Sequence, residues 1–366
     1  MKNQNDEKAI ILIPSLEPDE KLLLYVNELK EHGLTDVIIV DDGSGEEYQP
    51  IFQKLNDSGC AVLHHSRNYG KGRALKTGFK YIQENYKHPA CVVTADSDGQ
   101  HAVGDVLRIS EMSRKYPGVL SLGVRDFSGP GIPAKSLIGN RFSSLVFALL
   151  YGKYLSDTQT GLRAFGTELL EFMLNVEGDR FEYEMKMLID CVHAGIPMRM
   201  LSIQVIYENS NEGTHFKPFL DSTRVIGTIF SNFLRFSVSS IFSAAIDIGI
   251  AWFLLDYLQI FFESEYTVIL TATFIARVIS TVVNYFLNRK YVFREKTSVR
   301  QSLVRYLMLC AVIIMFSATG VYILHRGFGT NEKIGKVVVD SLLYILSYQA
   351  QQRWVFVIRR RKINRI

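Results

Sequence analysis

The chain has 366 residues, 48% of them hydrophobic, and a formal net charge of +4 from 41 Lys and Arg against 37 Asp and Glu. That length leaves room for two or three domains, and a charge so near balance excludes nucleic acid as the expected partner. The four cysteines, Cys60, Cys91, Cys191 and Cys310, show no CxxC and no His/Cys metal spacing, so they read as lone thiols in a reducing compartment and not as a disulfide framework.

The mean hydropathy of +0.09 blends two unlike parts. Up to about residue 230 the chain mixes charged and apolar residues like a soluble enzyme; beyond that, long apolar runs dominate. Residues 1–8, MKNQNDEK, form a polar tail without the apolar core of a signal peptide. The first domain is therefore expected to stay on the cytosolic side. AIILIP (9–14) predicts a strand, with a helix near 19–32. DVIIVDD (36–42) precedes a helix near 46–58, and CAVLHH (60–65) one near 71–85. ACVVTAD (90–96) precedes a helix near 104–116, and GVLSLGV (118–124) follows as a fifth strand. Continuous apolar strands alternating with amphipathic helices predict an α/β domain, Rossmann-like, with a parallel sheet covered on both faces. In such sheets ligands bind at the carboxyl ends of the strands.

Those ends carry the chemistry. Strand one is followed by Pro14-Ser15-Leu16-Glu17, strand two by Asp41-Asp42-Gly43-Ser44, and strand three by RNYGKGR (67–73). Strand four runs into TADSDGQH (94–101), which places Asp96 and Asp98 one residue apart. Carboxylates at i and i+2 past a strand end can converge on one hard cation, although a solvated acidic turn fits the octet alone equally well. Asp side chains on this rim can hold a base or ribose. Gly70-Lys71-Gly72 lets backbone approach a ligand at a helix N-terminus, where N–H groups favour phosphate. No GxGxxG follows the first strand and no GxxxxGK[ST] occurs, which argues against a Rossmann dehydrogenase and a P-loop NTPase.

In this order, IPSLEPDEKL, VDDGSG, RNYGKGRALKTGF, DSDGQH, GVRDF and DTQTGLRAF resemble the family-2 glycosyltransferases of the GT-A fold. The nearest subgroup is the polyprenyl-phosphate glycosyltransferases, related to the dolichol-phosphate mannose synthases, and the resemblance covers about residues 9–225. It implies that Pro14, Glu17 and Asp42, with Asp41 beside them, line the nucleotide base and ribose, with Gly70, Lys71 and Asp96 also on the nucleotide. It implies that Asp96, Asp98 and Gln100 bind Mg2+ or Mn2+ with the sugar-nucleotide diphosphate. The cation would neutralise the departing nucleoside diphosphate.

A second group of cations follows: Arg125, Lys135, Arg141, Arg163, His215 and Lys217. Each alone also reads as a solvated surface charge. By resemblance, Arg125 and Lys135 hold the acceptor phosphate and the diphosphate, and Asp157 faces the sugar. A lipid phosphate is already a nucleophile, with a second pKa near ~6. Asp157 is therefore expected to orient acceptor or sugar more than to abstract a proton. The resemblance also implies inversion at the anomeric centre. Of Glu182 and Glu184, two apart on a helix, at most one can face the site, and neither is assigned.

Four apolar runs, near 236–255, 266–288, 306–324 and 337–357, predict an all-α, four-helix transmembrane domain over 226–366. Lys and Arg cluster after the second run and in the tail, while the first connection holds Glu263 and Glu265 and neither Lys nor Arg. The bias predicts that both termini lie in the cytosol. The runs look duplicated. FLRF (233–236) corresponds to LVRY (303–306), and NYFLNRKYVF (284–293) to SYQAQQRWVF (347–356). Two copies in one orientation suggest parallel repeats about an axis along the membrane normal. Asp247, Arg277, Asn284 and Asp340 interrupt the runs; Asp247 is the most central, and a carboxylate–Arg277 pair is expected. ATFIARVISTVVNYFLNRKYVF most clearly resembles the GtrA family, over about 233–359. That resemblance implies either an anchor or a helper in moving lipid-linked sugar across the bilayer.

The expected protein is thus a multi-pass enzyme of the cell membrane. It moves one sugar from a UDP- or GDP-sugar to a polyprenyl phosphate, undecaprenyl phosphate in a bacterial host, for envelope glycosylation. Related enzymes also associate in the membrane, so a homo-oligomer is a further expectation. A processive synthase is one rival, but its QxxRW motif would need Gln where Ala350 stands. A lipid-sugar transporter with a non-catalytic binding domain is another, and a transferase with a soluble or protein acceptor a third.

Overall fold

The structure is a computed structural model that describes residues 8–87, 89–126, 134–204, 218–294 and 298–356, with side chains from 137 and from 223 onward in the third and fourth segments. The polar N-terminal tail, His215, Lys217, the side chain of Lys135 and the basic C-terminal tail lie outside the described residues. The chain divides into two compact units, one running through Ile229 and one beginning at Phe230.

The first unit is built on seven strands: β1 Ala9–Ser15, β2 Asp36–Asp41, β3 Ala61–His64, β4 Cys91–Thr94, β5 Leu120–Arg125, β6 Arg163–Phe165 and β7 Met198–Ile203. Their order is β3-β2-β1-β4-β6-β5-β7. Helices α1 Lys21–Glu31, α2 Gln49–Asp57, α3 Lys71–Asn85 and α4 Val103–Lys115 connect the early strands, as the alternating pattern predicts. Then come α5 Ala134–Tyr151, α6 Leu170–Leu174 and α7 Glu182–Ala194. The all-parallel sheet holds for β1 to β4 and fails at β6, which runs antiparallel to both β4 and β5. The three residues RAF are too short for any periodicity, so only the tertiary pairing reveals that strand. Ile11, Ile13, Val37 and Ile39 pack with Leu22, Val26, Val106 and Ile109 in the core. Burying one such side chain is worth about 1.5–3 kcal/mol, enough for the sheet to position a rim that carries buried charge.

The second unit contains most of α8 Pro218–Leu258, then α9 Glu265–Leu287, α10 Val299–Phe328 and α11 Glu332–Ala350. Among the described residues, three helical stretches are long and apolar enough to cross a membrane: Thr223–Leu258, Glu265–Val292 and Val299–Phe328. The fourth expected span is helical, but Glu332, Lys333, Lys336 and Asp340 crowd its first turns, and it does not qualify by length and composition.

The contacts of this unit come in matched pairs. α9 and α11 each end in a π-helical turn, Asn288–Val292 and Gln351–Val355. Tyr285 meets Tyr306 at 5.5 Å, and Tyr348 meets Phe236 at 5.3 Å. Tyr285 lies 5.8 Å from Phe356, and Tyr348 lies 5.9 Å from Phe293. On the line between the halves, Phe293 stacks on Phe356 and the Asn288 amide donates to Gln351 Oε1 at 3.0 Å. Under the FLRF/LVRY and NYFLNRKYVF/SYQAQQRWVF correspondence, each of these contacts of Tyr285 has its counterpart in a contact of Tyr348, and the contacts on the line between the halves join corresponding residues. QQRW is therefore the second copy of a membrane-unit helix end, whose Gln351 and Gln352 are buried.

Candidate active site

At the carboxyl ends of β1, β2 and β3, short polar side chains lock the loops. Asp41 accepts from the Ser44 amide at 2.8 Å and contacts His64 at 2.9 Å. Asp42 accepts from the amides of Tyr69 and Gly70, at 3.0 and 2.7 Å, and contacts His65 at 2.8 Å. His65 also reaches Thr77 on α3. Gly70 has φ of 105°, and a methyl there would press on Asp179 and Arg180, so only glycine fits this turn. Glu17 donates its amide to Ser44 Oγ at 2.8 Å and takes a left-handed φ of 49°, which costs a non-glycine residue about 1–3 kcal/mol. Glu17 is exposed, and Pro14 three residues earlier is buried.

Past β4, the carboxylates meet cations. Lys71, the first residue of α3, lies 2.7 Å from Asp96 and 3.0 Å from Glu184 of α7. His101 contacts the other Asp96 oxygen at 3.2 Å. Burial pushes the Asp96 carboxyl up, but Lys71 and His101 outweigh it and hold the group well below the usual range. Burial likewise pulls the Lys71 ammonium down, and Asp96 and Glu184 more than restore its charge. Asp98 is raised, by burial and then by the charge of Asp96. It accepts from the Gln100 amide at 3.0 Å, which closes the turn. Gly161 backs this site: a methyl there would overlap the Asp96 carboxylate. His101 Nδ1, Ser15 Oγ and the Tyr25 hydroxyl are buried without hydrogen-bond partners. Burial, then the charges of Asp96 and Asp98, push the Tyr25 phenol up.

Among the described residues, no group of three or more His, Cys, Asp and Glu side chains could cage a metal ion. Asp96 and Asp98 instead offer hard oxygen ligands whose mutual repulsion a divalent cation would relieve. Two carboxylates suit Mg2+ or Mn2+ when phosphate oxygens complete the shell.

The third cluster pairs Arg125, at the end of β5, with Asp157. Arg125 Nε donates to Asp157 at 2.7 Å and Nη2 at 3.2 Å, while the Gln159 amide adds 3.0 Å. Asp157 is 0% exposed; Arg125 keeps partial exposure. On the neighbouring α5, Arg141 is exposed, and Lys135 belongs to the first turn.

Residues 11–166 match the family model described as glycosyl transferase family 2, and residues 235–356 that of the GtrA/DPMS transmembrane domain. The chain is a family 2 glycosyltransferase fused to a GtrA/DPMS transmembrane domain. The UDP-N-acetylglucosamine–dolichyl-phosphate N-acetylglucosaminyltransferase of Methanococcus voltae is 28% identical over 55% of this chain and 87% of its own. The dolichyl-phosphate beta-glucosyltransferase of Saccharomyces cerevisiae is 27% identical over 51% of this chain and 64% of its own. Among solved structures, the glucosyl-3-phosphoglycerate synthase of Mycobacterium tuberculosis, determined with Mn2+, UDP and glucosyl-3-phosphoglycerate, aligns with a TM-score of 0.47 and 18% identity, over 61% of this chain and 79% of that one.

In this glycosyltransferase, one expected site residue is placed elsewhere. Arg163 is 1% exposed and points under α7, donating to the carbonyls of Thr160 and Glu184 at 3.0 and 2.6 Å. It fastens β6 to α7 and does not reach out to an acceptor phosphate. Conversely, Glu184 and His101 join the site without having been assigned. The signal for Glu184 lies in its spacing. It shares the i, i+4, i+7 stripe of α7 with buried Leu188 and Cys191, and a carboxylate on an apolar stripe needs a partner.

Proposed function

We propose that this enzyme transfers one sugar from a nucleoside diphosphate-sugar to the phosphate of a polyprenyl lipid, with inversion, to supply envelope glycosylation. The observation that carries the reading is the apolar face of α5, in the same unit as the acidic rim. Ile138, Phe142, Leu145 and Leu149 are exposed there at i, i+4, i+7 and i+11, a single stripe suited to a membrane surface. The dolichyl-phosphate acceptors named for the Methanococcus voltae and Saccharomyces cerevisiae enzymes support the same acceptor class.

In this scheme Pro14, Glu17, Asp41 and Asp42 frame the base and ribose, and Gly70 and Lys71 face the phosphates. A divalent cation on Asp96 and Asp98, with Gln100 beside them, would neutralise the leaving diphosphate. Arg125 binds the acceptor phosphate, and Asp157 fixes its guanidinium in place. An ionised lipid phosphate needs no general base, which suits a carboxylate enclosed against Arg125. Arg141, with Lys135, His215 and Lys217, adds positive charge toward an anionic headgroup. The basic residues after α9 and the acidic connection after α8 favour a cytosolic catalytic unit.

The test uses the purified full chain in detergent with Mn2+, undecaprenyl or dolichyl phosphate, and radiolabelled UDP- and GDP-sugars. Label from one donor should enter the organic phase and be lost with EDTA. If every donor binds yet no lipid is labelled, the polyprenyl acceptor is wrong.

A further inference from the structure

Glu184 has no role in that scheme, yet its placement is specific. The Lys71 ammonium sits between two carboxylates, 2.7 Å from Asp96 and 3.0 Å from Glu184, with side-chain exposures of 17%, 29% and 11%. Lys71 and a divalent cation seek the same Asp96 oxygens. The backbone beneath Lys71 is held. Gly70 packs on Asp179 and Arg180, the Arg73 amide donates to the Asp179 carbonyl, and Arg73 and Lys76 grip the Asp179 side chain. Only the flexible four-carbon stem of Lys71 is free to swing. A buried ammonium stripped of its carboxylate is strongly unfavourable, and Glu184 is already in contact with it.

We propose that Glu184 is a positioning residue that retains the Lys71 ammonium when Asp96 takes up a divalent cation. One cation then replaces another on Asp96 without leaving a buried charge unpaired. The inference rests on the metal-dependent transfer proposed above, and goes beyond it by assigning Glu184 and a second position for Lys71.

The experiment titrates Mn2+ into the detergent-solubilised full chain at saturating UDP and reads the loss of the free Mn2+ EPR signal. Glu184→Gln should weaken Mn2+ binding roughly 10- to 100-fold, the range for partners that support a metal ligand. Glu184→Asp, which keeps the charge, should stay within about threefold of wild type, and Lys71→Met added to Glu184→Gln should restore affinity to the same extent. Asp190→Asn removes a negative charge from the same helix and should change affinity by less than about twofold. Unchanged affinity in Glu184→Gln overturns the inference, as does a double variant that stays weak. If the Gln variant does not fold, Lys71→Met decides, at a UDP concentration shown to saturate that variant: it should bind Mn2+ at least as tightly as wild type, and weaker binding overturns the competition. Wild-type protein that binds no Mn2+ would instead sink the metal-dependent reading itself.

Discussion

A carboxylate meets a basic side chain in each unit, and the two meetings differ in what can replace them. Asp96 holds Lys71 on a rim open to ligands, with Glu184 and His101 alongside. Asp247 holds Arg277 at 3.1 Å, with Ser280 donating at 2.8 Å, between two helices apolar enough to span a bilayer. On the rim, water, phosphate or a second cation can take over either partner. Within hydrocarbon neither charge finds a substitute, so the partner must come from the protein. The same pairing is exchangeable in one unit and structural in the other. Substitutions in the first should therefore change turnover, and those in the second should change stability.

The largest expected effect is on the rim. Asp98→Ala should lower turnover at least ~100-fold, because it would remove an oxygen ligand from the proposed cation, which would stabilise several kcal/mol of developing charge. The melting temperature should hold, since the Asp98 side chain ties only its own turn. A large drop in melting temperature with proportionate loss of activity would break the contrast. Next comes Asp157→Asn. Its two contacts with the Arg125 guanidinium aim that group, and turnover should fall about 10- to 100-fold as charge-assisted bonds are lost. Donor affinity should change little. An effect confined to donor affinity would remove Asp157 from the acceptor side.

The early strands and helices were legible because each buries a continuous or amphipathic apolar pattern, and the loops at their ends carried recognisable Gly and Asp spacing. β6 was not, since three residues have no period. Arg163 was misassigned for a related reason. A charge in TGLR looks surface-bound until the antiparallel pairing of β6 with β4 and β5 encloses it. Glu184 failed the other way, as its role depends on the approach of α7 to the first turn of α3, about 110 residues earlier in the chain. The Asp247–Arg277 contact was readable because a lone carboxylate and a lone guanidinium in apolar runs have few other solutions.

The membrane unit supplies an internal control. Asp247 lies 11 residues after Phe236, and Ser317 lies 11 after Tyr306; Arg277 precedes Tyr285 by eight, as Asp340 precedes Tyr348. The duplicated frame thus places a polar bridge at one level in both hairpins, but fills it differently. In the second, Ser317 donates to Asp340 at 2.6 Å and Lys336 pairs with Asp340 at 2.9 Å on the same helix. Arg277→Leu leaves Asp247 charged and without its ion-pair partner, and should cost about 2.5–3.5 kcal/mol, the scale for a lone charge in a span. Adding Asp247→Leu should recover most of that loss, as for other buried pairs replaced by apolar residues. Failure to recover would show that the pair does more than hold two helices together.

The smallest effect is expected at Asp340→Asn. Asp340 and Lys336 are about half exposed and four residues apart, and such pairs are worth about 0.3–0.5 kcal/mol in water. Asparagine also still accepts from Ser317. Thermal melts in one detergent, then in bilayer nanodiscs, separate two placements of α11. A small change in both would leave the first turns of α11 in water, consistent with the charges that keep it from qualifying as a span. A loss in nanodiscs approaching that of Arg277→Leu would put Asp340 at the depth of Arg277, and make α11 a fourth span set by the repeat despite its composition.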